Sequence, residues 1–267
     1  MRTKYVRAPC VSPTVREGSI STMKTVGIIG GIGPESTIEY YRFIIDGYRG
    51  RRSGTGVPPV DGHAQDARAT DYPSIVINSV DLDKLLRWMK ADELEAATDY
   101  LVAEIEKLAR AGVDFAVLAS NTPHIVFDQI RERTALPLIS IVEATRDQAI
   151  SLGLKRPGLF GTRFTMQAKF YPDVFAAAGL NLVVPNHEEQ IFIHEKYLGE
   201  LLNNIFLPET RERLLTIAER MKERDGIDGL ILGGTELPLI MRDEHSGIPF
   251  LDTTRIHVER IVEELLS

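Results

Sequence analysis

Cysteine is almost missing from this chain: Cys10 is the only one in 267 residues. A single thiol excludes an intrachain disulfide framework and any zinc site built on several cysteines. The six histidines are scattered, and none pairs with another at the i, i+4 spacing of a helical metal site, so no metal is expected. No apolar run approaches the roughly 20 residues of a membrane span, which excludes a spanning helix. Positive charge is also short. The formal net charge of −7 argues against nucleic acid or an anionic membrane as a partner.

Residues 1–22 differ from the rest. They are basic, bear Ser and Thr, and show no periodicity. They lack the 7–15-residue apolar stretch of a secretory signal, so the expectation is a cytoplasmic protein with a disordered tail, or a start placed early with Met23 as the first residue. Beyond the tail the composition is that of an ordinary globular protein, long enough for one large or two small domains.

From Lys24 onward the pattern alternates strand and helix. Short apolar runs at 24–30, 74–80, 115–119, 136–141, 157–162, 180–184, 229–232 and 248–252 read as strands. Pro137 marks the run at 136–141 as an edge strand. Helical patterns occupy 38–48, 92–111, 125–133, 143–152, 163–178, 190–204, 208–224 and 254–266. In the second of these Asp92 suits the cap, Leu94, Ala97, Leu101, Ile105 and Leu108 form one apolar stripe, and Gly112 ends the helix. Such alternation predicts an α/β fold with mostly parallel sheet. Residues 49–72 are polar and rich in Gly, Pro and Arg, a long loop in which Arg68 is a candidate for a ligand carboxylate.

Three turns follow strands. Gly30-Gly31-Ile32-Gly33 only superficially suggests a dinucleotide fingerprint: Ser36 replaces the third glycine and Pro34 interrupts, so no cofactor is expected. Ser120-Asn121-Thr122-Pro123-His124 and Gly233-Gly234-Thr235-Glu236-Leu237-Pro238 each end an apolar run and open a helical pattern. Open α/β sheets place their sites at such strand ends. If the two tips face one another, the chain folds as two similar lobes closing on one cleft. The expected lobes are 23–140 with 252–267, and 141–251. Within the first tip, Ser120 is a candidate nucleophile with His124, four residues on, as its base. Glu236 is a candidate base or orienting carboxylate. Thr162 and Arg163 follow another strand and are expected to line the cleft, with Arg163 suited to a carboxylate or to Glu236.

These segments together resemble the aspartate/glutamate racemase family. The resemblance rests on Gly30 to Thr37 with Glu39-Tyr40-Tyr41, on Ser120 to His124, on Phe160 to Met166, on Gly233 to Pro238, and on Leu251 to Thr254 with His257. It implies a fold of two lobes, racemisation of amino acids without pyridoxal phosphate, and a homodimer. It implies a small carboxylate as partner, cradled by Asn121, Thr122 and Thr235, with a basic residue such as His194 or Lys196 nearby. His257, on the last helical pattern, is expected to be structural. The resemblance also implies two catalytic cysteines, one at each tip, and here the chain departs from the family: Ser120 and Gly234 stand in their places. A hydroxyl without a base is a poor proton acceptor, and glycine has no side chain. Two-thiol racemisation therefore does not carry over. The readings left open are a family enzyme with altered chemistry on a small acidic amino acid, a silent carboxylate-binding homologue, and a lyase, decarboxylase or hydrolase in the same cleft.

Overall fold

A computed structural model describes residues 23–52, 72–241 and 247–267. Two parallel sheets carry the chain. The first contains β1 (Thr25–Gly30), β2 (Ser74–Ser79), β3 (Phe115–Leu118) and β4 (Leu138–Ile139), in the order β2-β1-β3-β4. The second contains β5 (Pro157–Gly161), β6 (Gly229–Gly233) and β7 (Phe250–Asp252), side by side in that order. Every pairing is parallel. Parallel neighbours require crossovers, and helices supply them. The strands β1, β3, β5 and β6 are buried at every residue after Thr25, which is why they read as unbroken apolar and glycine runs.

Helices cover both faces of each sheet. On the first sheet α1 (Pro34–Arg52) and α11 (Thr253–Leu266) cover one face, and α2 (Leu82–Lys90), α3 (Leu94–Arg110) and α4 (Phe127–Arg133) cover the other. On the second sheet α5 (Ile141–Ser151) and α7 (Phe170–Ala177) lie opposite α6 (Arg163–Gln167), α8 (His187–Gly199), α9 (Pro208–Asp225) and α10 (Leu237–Ile240). The α11 helix belongs to both halves. Its Val258, Ile261, Val262 and Leu265 pack on the first sheet, while its Ile256 packs against the core of the second.

The α3 stripe behaves as its spacing predicts: Ala97, Leu101, Ile105 and Leu108 are buried. Each fully buried leucine of this kind contributes about 1.5–3 kcal/mol. Side chains cap several helices. Ser140 accepts from Val142 and Glu143 N–H, and Asn186 forms a capping box with Glu189.

The structure corrects several boundaries. The α1 helix begins at Pro34, a favoured first helical position, and runs four residues into the expected 49–72 loop. Asp92 does not cap α3; it sits at φ 60° in the turn before it, and Glu93 takes the N-cap position without a side-chain bond. Residues 122–126 form a 3-10 turn ahead of α4. The expected 163–178 helix breaks at Ala168, whose extended backbone separates α6 from α7. The expected strand at 180–184 is reduced to one bridge, Gly158 to Val183. The sequence reading passes over residues 81–91, which hold α2; Asp81 caps it by accepting from Lys84 N–H at 3.1 Å.

Candidate active site

The ends of β3 and β6 open on one cleft with about 650 Å³ of empty space, including its mouth. The first sheet contributes Gly33, Ser120 and Thr122; the second contributes Thr162, Tyr197 and Glu236. Between them α2 lays an apolar wall of Leu82, Leu85, Leu86 and Met89, with Lys90 at its end. Leu82, Leu85, Leu86 and Met89 follow the i, i+3, i+4, i+7 pattern of one helical face, and behind Asp81 that pattern was the available signal for this wall.

Glu236 is the centre of the polar groups. It is 4% exposed, and three hydroxyls lie within hydrogen-bonding distance of its carboxyl. Thr235 Oγ1 donates to its Oε2 at 2.8 Å, Ser36 Oγ approaches Oε1 at 3.2 Å, and the Tyr197 hydroxyl donates to Oε2. Ser36 also lies 2.5 Å from Thr235 Oγ1, so its single proton goes to one or the other. Ser36 stands at the start of α1, 200 residues from Glu236, and closes this network across the two sheets. Gly33, at φ 92°, passes close by: a Cβ there would lie 2.9 Å from Ser36 Oγ and 3.3 Å from Glu236 Oε1.

Gly234 does not itself line the cleft. The ring of Tyr197 lies directly against it, and a Cβ at 234 would sit 2.4 Å from Tyr197 Cε2 and 2.8 Å from its hydroxyl oxygen. The side chain missing at 234 is thus replaced in space by one from α8. Burial, and then the neighbouring Glu236, push the Tyr197 phenol well above its ordinary value, so it stays protonated at neutral pH.

The first tip is divided between cleft and core. Ser120 and Thr122 face the cleft. Thr122 Oγ1 reaches Thr162 Oγ1 at 3.3 Å, joining the two halves. The His124 imidazole is not directed at the Ser120 hydroxyl. Its Nδ1 donates to the Ser120 carbonyl at 3.0 Å and its Nε2 accepts from Ile141 N–H at 3.3 Å, with the ring stacked on Phe127. Burial pushes its pKa down to about 3, consistent with a neutral ring whose two nitrogens are both in use. The Asn121 side chain is also committed inward. Its amide donates to Thr253 Oγ1 at 3.1 Å and its carbonyl accepts from Tyr171 at 2.7 Å, so it ties β3 to α11 and α7.

This arrangement can be set beside known proteins. The Asp/Glu/Hydantoin racemase model matches residues 29–261. The chain belongs to that family. It is 25% identical over 243 residues to the broad specificity amino-acid racemase RacX of Bacillus subtilis (strain 168), covering 91% of this chain and 98% of the relative. The crystal structure of an aspartate racemase homologue from Pyrococcus horikoshii OT3 is 29% identical and superposes with a TM-score of 0.74, covering 92% of this chain and 100% of that one. A glutamate racemase of Bacillus anthracis shares the fold at 17% identity, with a TM-score of 0.60 over 92% of this chain and 82% of the other.

Within this racemase fold the remaining candidates divide clearly. Thr162 lines the cleft and caps α6, accepting from Thr165 N–H at 3.3 Å. Arg163 is exposed; its guanidinium stacks near Phe164, 5.7 Å away, and not on Glu236. Of the two basic positions on α8, His194 faces the cleft and accepts from Arg163 N–H at 3.2 Å, while Lys196 pairs with Glu200 outside it. Burial, with Arg163 adding to it, lowers the His194 pKa. His257 is buried, with its ring nitrogens on the Tyr40 hydroxyl at 2.8 Å and the Ile139 carbonyl at 3.1 Å. Arg68 lies outside the described residues. Among those residues no helix is long and apolar enough to cross a membrane.

Proposed function

We propose that this racemase-family chain binds a small carboxylic acid, an amino acid or a near relative, in the cleft between Ser120 and Tyr197, and acts on it without a pair of thiols. The observation that supports this reading most is the convergence of hydroxyls and one carboxylate from both sheets in a cleft otherwise walled by apolar side chains. Such a pocket buries a small ligand and orients it by a few polar contacts. Thr122 and Thr162 supply hydroxyl donors for a carboxylate. Ser120, with no base at its hydroxyl among the described residues, and Gly234, with no side chain, do not supply the two proton carriers of a two-thiol mechanism.

Aspartate and glutamate, in both D and L forms, are the first ligands to test. Saturation-transfer NMR on the full chain is expected to show saturable binding of at least one of them, weakened several-fold by Thr162→Val. Finding no saturable binding of any of the four, or binding indifferent to Thr162→Val, would remove this reading.

A further inference from the structure

We infer that Tyr197, backed by Glu236, is the proton-transferring group on the second-sheet face of the cleft, and that proton transfer there is confined to that one face. The inference rests on the proposed substrate site, and three observations carry it.

The first is position. The Tyr197 ring occupies the room in which a side chain at 234 would lie, 2.4 Å from where that Cβ would be. The side chain that fills that room and also lines the cleft is Tyr197. The second is connection. The Tyr197 hydroxyl is hydrogen-bonded to the Glu236 carboxyl, and both groups line the cleft. The third is asymmetry. On the opposite face stands Ser120, whose neighbouring imidazole is turned to the Ser120 carbonyl and the Ile141 N–H. An alcohol without a base does not exchange protons with a carbon acid.

The step balances as a relay. The α C–H bond breaks and its proton passes to the Tyr197 oxygen, while the proton already on that oxygen passes to Glu236. The electron pair stays on the substrate as an enolate, and the Glu236 carboxylate becomes a carboxylic acid. Reversal returns a proton by the same path. Tyr197 begins and ends the step as a phenol, in keeping with a buried group whose ionised form is disfavoured. Ser36 and Thr235 hold the Glu236 carboxyl in line through their hydroxyls. With no carrier opposite, a proton removed from one face returns to that face, so configuration is kept.

The test is hydrogen exchange at the α-carbon. Full-length protein is incubated in D₂O with each of L-aspartate, D-aspartate, L-glutamate and D-glutamate. Loss of the α-proton signal is followed by NMR and the product's configuration is read by chiral chromatography. The expected result is deuterium incorporation with retention. Tyr197→Phe, which keeps the ring against Gly234, and Glu236→Gln, which keeps an acceptor for the phenol, are each expected to slow exchange by roughly 10²-fold or more while saturation-transfer binding persists. Binding retained beside lost exchange separates proton transfer from a packing role. Incorporation with inversion, or exchange by Tyr197→Phe at the parent rate, would overturn the inference. Binding without exchange of any of the four would also overturn it, while the binding site itself stood. Neither binding nor exchange would overturn both.

Discussion

A methyl group added at Gly234 probes the packing on which the site depends. In Gly234→Ala the new carbon would lie 2.4 Å from Tyr197 Cε2 and 2.9 Å from Cζ, well inside contact distance. The ring has little freedom to yield. Tyr197 is 5% exposed, and its hydroxyl is bound to Glu236. Forcing an atom into a filled core costs about 1–3 kcal/mol. Gly234 does not use the left-handed region, so restricting the unfolded chain returns roughly 0.4–1 kcal/mol. The net expectation is a loss of about 1–2 kcal/mol, or some 2–8 °C in Tm for a chain of this size. A double-mutant cycle isolates the cause. Tyr197→Ala alone is expected to cost about 3–5 kcal/mol, but in its presence Gly234→Ala costs nothing, because the methyl enters vacated space. Urea denaturation of the four proteins measures the cycle. Gly234→Ala at parental stability, or additive losses within about 0.3 kcal/mol, would refute the contact. The same geometry predicts that Gly234→Cys does not install a usable thiol while Tyr197 is present.

Three further outcomes follow from groups away from that contact. His124 and His257 are buried, with burial lowering their pKa values to about 3 and about 4 from 6.5. Both are neutral in the fold, so the unfolded chain takes up protons first as pH falls below 6.5. Stability is full above that value and declines through pH 5 by about 1.4 kcal/mol per unit for each group, roughly 4 kcal/mol for the pair. Asp252 and Glu39, whose pKa values burial raises, offset part of this at lower pH; a urea midpoint unchanged between pH 7.5 and 5 would contradict the assignment. Asn121→Ala removes the acceptor that the buried Tyr171 hydroxyl donates to and is expected to cost about 1–3 kcal/mol in the same assay, a neutral result refuting the bridge. Arg163→Ala and Lys196→Ala, both directed away from the cleft, are expected to leave ligand affinity within twofold of the parent by NMR titration, and a tenfold loss in either would show that its side chain reaches the ligand.

Much of the fold is legible in the sequence because its signals are local. A strand buried on both faces, such as Val26 to Gly30 or Leu230 to Gly233, reads as a short apolar run whatever it packs against. The two tips are legible for the same reason, since each is a strand end, a polar turn and a proline in eight or nine consecutive residues. The content of the site is much less so. Gly234 shows only that a side chain is missing; what fills the gap is Tyr197, 37 positions earlier on a different helix, and no local pattern connects them. Ser120 and His124 have the spacing of a helical pair, but residues 122–126 form a 3-10 turn, and the imidazole turns back to the chain. Lys196 and His194 differ by two residues on α8, so only packing decides which faces the cleft. The α2 helix was legible in principle, yet it is short and lies between a strand and a stronger helical pattern.

The placement of α11 governs the order in which the molecule is completed during synthesis. When residues 23–140 have left the ribosome, α2, α3 and α4 are available for one face of the first sheet. The opposite face, with Val26, Ile28, Tyr40, Ile44 and Val117, still waits for Val258, Ile261 and Leu265. The second sheet waits for the same stretch, since β7 forms its edge and leads straight into α11. Neither half is sealed before the other, and a chain interrupted ahead of Phe250 leaves apolar surface open on both. One helix is thus shared by two cores, and its removal is expected to loosen both at once.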